Sequence, residues 1–157
     1  MTTFTTSAEI RIVGAHEADL LSAVAHGVFD DPLIAERLEE FLRDPRHHLV
    51  VASFDGAIVG FVSAIHYVHP DKPAPELWIN EVGVAPSHQR RGLARAMLEE
   101  LLAHARRLGC AAAWVLTDRA NTAAMALYAA CGGAAPTDQV MIEFHLDRAV
   151  ANRQQAN

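Results

Sequence analysis

Leu77-Trp78-Ile79-Asn80-Glu81-Val82-Gly83-Val84, followed past Pro86 by Gln89-Arg90-Arg91-Gly92-Leu93-Ala94, is the stretch that decides how this chain folds. The first run is apolar and β-branched enough to form a strand over 77–84, and Pro86 stops it. From Leu93 the apolar positions Met97, Leu101, Ala105 and Leu108 recur at helical spacing, which predicts an amphipathic helix over 93–108 closed by Gly109. Residues 112–116 then read as a continuous apolar strand of the kind found at the centre of a parallel sheet. Strand, crossover helix and parallel strand make one right-handed unit. The turn inside that unit is basic and contains a glycine. A helix N-terminus presents N–H groups without intrahelical partners and carries the positive end of the peptide dipoles, so residues 89–94 suit a phosphate. Gly92 lets the backbone approach the anion, while Arg90 and Arg91 add formal charge.

Outward from this unit, the N-terminal part reads as a strand at 10–13, a helix over 16–29 and a second short helix over 33–42, the two helices being separated by Asp30-Asp31-Pro32. Strands at 49–54 and 58–68 flank Asp55-Gly56, a strong hairpin signal. A proline-rich loop, His69-Pro70-Asp71-Lys72-Pro73-Ala74-Pro75, leads into the decisive strand. Beyond the crossover, a helix over 121–130 stops at Gly132-Gly133, and residues 140–146 read as a last strand. The expected fold is mixed α/β: a largely antiparallel sheet with one parallel crossover and helices on both faces.

At 157 residues the chain is expected to form one domain over 1–150 with a polar tail over 151–157. No apolar run reaches bilayer length, and Met1-Thr2-Thr3-Phe4-Thr5-Thr6-Ser7 lacks the basic and apolar regions of a signal peptide, so a cytoplasmic location without membrane contact is expected. The two cysteines, Cys110 and Cys131, are expected to be reduced core residues. A formal charge of −6 disfavours nucleic acid as a partner and suits a cationic substrate. Nine histidines, including His47-His48 and His66-x-x-His69, show no metal-ligand spacing, so no metal is expected. His66 and His69, beside the proline-rich loop, are candidates for lining a substrate cleft, and Trp78 and Trp114 for packing.

The turn has too few glycines for a dinucleotide-binding fingerprint and no Gly-Lys-Ser/Thr for a Walker loop. It resembles the coenzyme A motif of the Gcn5-related N-acetyltransferase (GNAT) superfamily, Gln/Arg-x-x-Gly-x-Gly/Ala, standing here as Gln89-x-x-Gly92-x-Ala94. Asn121-x-x-Ala124-x-x-Leu127-Tyr128-x-x-x-Gly132 is similar to the superfamily's second cofactor segment. The resemblance implies a cofactor, acetyl coenzyme A, whose pantetheine arm lies between splayed fourth and fifth strands and pairs with the backbone at Val82 and Val84, with Gly83 as a possible bulge. It also implies that Gln89, Arg90, Arg91, Gly92, Leu93, Ala94 and Arg95 hold the pyrophosphate, with Asn121 and Ala124 alongside. Tyr128 matches the position that hydrogen-bonds the departing thiolate. Glu81, next to the splayed segment, is the candidate to take a proton from the attacking amine.

The fourth-strand segment from Glu76, with His88, Leu108-Gly109, Ala126-Leu127-Tyr128 and Val140-Met141-x-x-Phe144, looks like aminoglycoside 3-N-acetyltransferases. The departures are Glu81, where that family commonly has Asp, and an acidic loop reduced to Asp118 with Arg119 beside it. The expected acceptor is a polycationic aminoglycoside amine held by Asp30, Asp31, Glu76, Glu81, Asp118 and Glu143. A polyamine, an amino acid or a protein N-terminus is the alternative acceptor, and a coenzyme A sensor without turnover is a third reading. Related enzymes are commonly dimers, so a homodimer is expected.

Overall fold

The computed structural model describes residues 7–136, 138–144 and 146. The elements run β1 (Glu9–Ile12), α1 (Ala35–Arg43), β2 (His47–Phe54), β3 (Ala57–Tyr67), β4 (Glu76–Val84), α2 (Leu93–Arg107), β5 (Ala112–Val115) and α3 (Thr122–Ala130), with 3₁₀ turns at Ala18–Ser22 and Pro86–His88. The five strands lie in sequence order in one sheet. The first three junctions are antiparallel and β4 pairs β5 in parallel, so α2 is the crossover that the sequence predicts.

Local chemistry explains the joints. Asp55 and Gly56 take φ of 50° and 80°, the left-handed pair that a two-residue hairpin requires. Gly109, at φ 78°, ends α2: its N–H bonds the Arg106 carbonyl, and the Cys110 N–H reaches back to Ala105, the paired bonds of a Schellman motif. Asn121 caps α3, its side-chain oxygen accepting from the Ala124 N–H at 3.1 Å.

The sheet buries both faces. On one, Val50, Val62, Ala64, Leu77 and Ile79 pack under Met97, Leu98 and Leu101 of α2. On the other, Leu49, Val51, Ile58 and Phe61 meet Leu21, Val28 and Leu42, contributed by the Ala18–Ser22 turn, the segment after it, and α1. Cys110 and Cys131 are free thiols packed against the α2-side core, and burial pushes both thiols up.

Three expectations fail. The helix over 16–29 is one 3₁₀ turn, after which the chain extends: Val24 bridges Ile58, with Ala25 N–H to Ile58 C=O and Ile58 N–H to Ala23 C=O each at 2.8 Å. The apolar spacing there serves contact with β3, and Gly27 at φ 75° turns the chain away from any helix. β5 is an edge strand among the described residues, with Ala112, Ala113 and Trp114 exposed, so its continuous apolar run does not mark a central position. The described residues within 140–146 form no strand, and Val140, Met141, Ile142, Phe144 and Leu146 are exposed. A strand exists only through its ladder partner, which an alternating apolar pattern does not supply.

Candidate active site

The parallel ladder joins Glu76–Ile79 of β4 to Ala112–Val115 of β5 and ends there, while β4 runs on to Val84. Among the described residues, 80–84 therefore keep β3 on one side and present an open edge on the other. The sequence expects a bulge at Gly83; the structure puts it at Asn80. Ser63 pairs Glu81 and the next residue, Ala64, pairs Ile79, leaving Asn80 as the extra residue. A bulge bends its strand and increases local twist, so the bend falls where β4 parts from β5. Gly83 has a different purpose: a Cβ there would stand 2.3 Å from the Val28 carbonyl oxygen and 2.6 Å from a Phe61 ring carbon. It lets the segment after the first 3₁₀ turn lie directly on β4.

That close approach builds a pocket of about 430 Å³ lined by Phe29, Asp30, Asp31, Phe61, Glu81 and Gly83 among others. The Phe29 and Phe61 rings stack at 4.0 Å and form its apolar wall. Asp30, Asp31 and Glu81 are exposed acids around it, with no lysine or arginine in the lining. Three of the six expected acceptor acids thus come together. The other three do not line this pocket. Glu76 is bound by Lys72 at 3.2 Å and by the Tyr67 hydroxyl at 3.0 Å, contacts that hold its carboxyl below the usual range. Asp118 accepts from the Ala120 N–H at 2.8 Å and shapes the loop before α3. Glu143 belongs to the exposed segment without strand structure.

At the start of α2, Gly92 is the N-cap at φ 78° and Arg90 is left-handed at φ 62°. Among the described residues no side chain caps this end, and no acid occupies the first turn. The N–H groups of Leu93, Ala94 and Arg95 thus face an anion's natural position, with exposed Arg90 and Arg91 beside them. Gln89 donates its side-chain amide to the Val84 carbonyl at 3.1 Å, and Arg95 pairs with Glu99 at 2.7 Å. Those two side chains tie the turn to β4 and run along the helix respectively. Asn121 and Ala124 make the α3 cap described above. The open β4 edge and the uncapped glycine-started helix fit a ligand with an amide-bearing arm and a phosphate, the make-up of coenzyme A.

Tyr128 of α3 is half-buried against the α2-side core, and burial pushes its phenol up. Glu81, paired with Ser63, faces the opposite side of the sheet.

The histidines are arranged differently from the expectation. His66 stands on the α2 face, away from the acidic pocket, because it pairs Leu77 of that core. Its Nδ1 lies 2.7 Å from His48 Nε2, and His48 Nδ1 lies 3.1 Å from His104 Nε2 of α2. Burial, with the neighbouring imidazoles, pushes His48 down to about 4. His69 instead packs on Tyr67 near Glu76.

Sequence reasoning misplaced the bulge and missed the Phe29–Phe61 wall and the stacking of Trp78 on Trp114 at 5.3 Å. A signal existed for the first, since asparagine is unfavourable inside a strand. The ring contacts join residues distant in sequence and leave no local pattern.

The Acetyltransferase (GNAT) family matches residues 16–133. The chain belongs to the GNAT family. The N-alpha-acetyltransferase RimI of Mycobacterium tuberculosis is 36% identical to it over 105 residues, 67% of this chain. The chain spans 63% of that relative's length. An aminoglycoside acetyltransferase from an uncultured soil metagenomic sample, solved in complex with sisomicin, has a TM-score of 0.75 at 16% identity, covering 89% of this GNAT chain and 97% of its own. Aminoglycoside N-acetyltransferase AAC(6′)-Iy, solved in complex with CoA, has a TM-score of 0.69 at 21% identity, covering 94% of this chain and 99% of its own. At these identities the structural likeness establishes the fold.

Proposed function

We propose that this GNAT protein is an acetyl coenzyme A-dependent N-acetyltransferase whose acceptor is a primary amine of a polycationic small molecule, with the 3-amino group of an aminoglycoside as the chemical class. The observation that carries the reading is the convergence of Asp30, Asp31 and Glu81 on one pocket beside the open edge of β4, without a basic residue to neutralise them. One ammonium needs one carboxylate; three suit an acceptor carrying several positive charges. The resemblance of 76–84 to aminoglycoside 3-N-acetyltransferases supports the same choice.

Acetyl coenzyme A, when bound, supplies an acetyl group activated as a thioester. The chain's residues do the rest. Backbone groups of 80–84 pair with the pantetheine arm as an added strand would, and the α2 N-terminus with Arg90 and Arg91 receives the phosphates. A primary amine attacks only when neutral, so the Glu81 carboxylate accepts its proton, directly or through water. Asp30 and Asp31 hold other ammonium groups of the acceptor. Tyr128 donates a hydrogen bond from its hydroxyl to the leaving sulfur. Full proton transfer from a phenol near pKa 10 to a thiolate near 8.5 is uphill by roughly 2 kcal/mol, and burial of Tyr128 widens the gap. Tyr128 therefore acts by stabilising charge.

The second reading, acetylation of a peptide N-terminus, is favoured by the RimI relative. Measuring thiol release from acetyl coenzyme A against aminoglycosides, polyamines and alanine-initiated peptides decides between them. Turnover of aminoglycosides at kcat/KM at least about tenfold above the peptides supports the leading reading; the reverse order overturns it.

A further inference from the structure

Beside the acidic pocket, the same face of the sheet carries an aromatic shelf. Trp78 of β4 and Trp114 of β5 are register partners whose rings stack at 5.3 Å and within 8° of parallel. Trp114 is 37% exposed although it is among the largest side chains of the molecule. Its indole Nε1–H is already satisfied by the Tyr67 hydroxyl at 2.6 Å, and that hydroxyl in turn donates to Glu76 at 3.0 Å. The polar edge is thus tied down, and the ring offers solvent its apolar π surface.

Register places this shelf relative to the pocket. Trp78 pairs Ile65, Glu81 pairs Ser63 and Gly83 pairs Phe61, and 61, 63 and 65 alternate onto one face of β3. Because Asn80 is the bulge residue, Trp78 and Glu81 share that face, two register positions or about 7 Å apart. A molecule whose amine reaches Glu81 has the indoles within the span of one further sugar-sized ring. Glu76 is not the attraction, since Lys72 already pairs with it. The attraction for a cation is the indole quadrupole itself, reinforced by the field of Glu81, Asp30 and Asp31.

We propose that Trp78 and Trp114 form an acceptor subsite that takes the ring next to the one being acetylated, an amino-sugar whose C–H face lies on the indole and whose ammonium meets its π surface. This inference rests on the proposed aminoglycoside reading. It determines which amines are good acceptors: those with a second saturated, positively charged ring.

Trp78 and Trp114 are the chain's two tryptophans, so emission excited at the red edge of the indole band, where the two tyrosines do not absorb, reports on the shelf. The wild-type protein is titrated with gentamicin, with 2-deoxystreptamine, which lacks the second ring, and with an alanine-initiated peptide, all without acetyl coenzyme A. A saturable emission change with gentamicin, absent with 2-deoxystreptamine and the peptide, is expected; no change with gentamicin, or equal changes with all three, overturns the subsite. Kinetics of Trp114→Ala supply the second readout, with thermal melting to confirm folding. KM for gentamicin should rise about tenfold with kcat within about twofold, while KM for 2-deoxystreptamine stays unchanged. An equal rise for both acceptors makes Trp114 structural and overturns the proposal. Failure of the aminoglycoside reading is recognised separately, as absence of gentamicin turnover by the wild type whatever the fluorescence shows.

Discussion

Trp78 and Glu81, three positions apart on β4, point to the same face of the sheet, because Asn80 between them is the unpaired residue of a bulge opposite Ser63 and Ala64. In a regular strand residues three apart face opposite sides. The bulge also falls one residue past the last β4–β5 pair, so the bend and the opening of the sheet coincide.

Deleting Asn80 separates those two effects. The deletion restores plain alternation, with Ile79 still opposite Ala64 and Glu81 still opposite Ser63, so every side chain keeps its face. The bend and extra twist are lost. The variant should therefore melt within a few degrees of the wild type while kcat/KM falls about a hundredfold, the scale of a misplacement near 1 Å. Wild-type kinetics in the deletion variant would show that the bulge does not shape the site.

Glu81→Gln removes the proposed proton acceptor while keeping size and hydrogen bonding. KM for the amine should rise, and kcat/KM should fall at neutral pH and climb steeply as pH approaches the amine pKa, because deprotonated substrate must then come from solution. Profiles of both proteins, measured at fixed saturating acetyl coenzyme A, check this. Superimposable profiles would assign proton removal elsewhere. Acceptor KM should also rise with added salt, as attraction by Asp30, Asp31 and Glu81 is screened.

Tyr128→Phe deletes one hydroxyl from a half-buried ring packed against the α2-side core. If the hydroxyl stabilises charge on the leaving sulfur, kcat should fall about 100-fold, with acceptor KM little changed. The ring's packing survives, so thermal melting should move little. Near-normal turnover removes the catalytic role.

Gly83→Ala introduces a Cβ that must displace the Val28 carbonyl and the Phe61 ring. Forced overpacking of this kind costs about 1–3 kcal/mol. Denaturant unfolding should show that loss, and acceptor KM should rise because Phe61 and Val28 both line the pocket. An unchanged midpoint would mean the segment at Val28 yields freely.

Much of this was legible in the sequence where one local rule decides one local feature. Asp55-Gly56 dictates its hairpin, Gly109 its helix end, and the strand–helix–strand unit around residues 89–94 the parallel crossover. The reading failed where the deciding partner is remote. Val24 bridges Ile58 instead of continuing a helix, and His66 faces α2 because of the register its strand takes. Among the acids, Asp30 and Asp31 line one pocket with Glu81 because Gly83 lets their segment settle on β4, a meeting no spacing announces. Glu76 is diverted by Lys72 and Tyr67.

His48 and His104, joined in a chain with His66, tie stability to pH above the carboxylate range. Each central imidazole nitrogen of His48 faces another ring, an arrangement that neutral histidines satisfy by each donating one N–H and accepting at the other nitrogen. His48 is pushed from 6.5 to about 4, and His104 is also lowered, in both cases chiefly by burial. The unfolded chain therefore binds these protons more readily than the folded one. Stability from this cluster is complete above the ordinary histidine value and is lost as pH falls from 6.5 toward 4. Carboxylates held low, such as Glu17 and Glu76, add their own loss only below their ordinary value of 4.5. Urea midpoints should thus decline between about pH 6.5 and 4.5, before most carboxylates titrate, and His48→Gln should flatten that decline. A midpoint in the wild-type protein that stays level across this interval would show that His48 and His104 take up protons without cost.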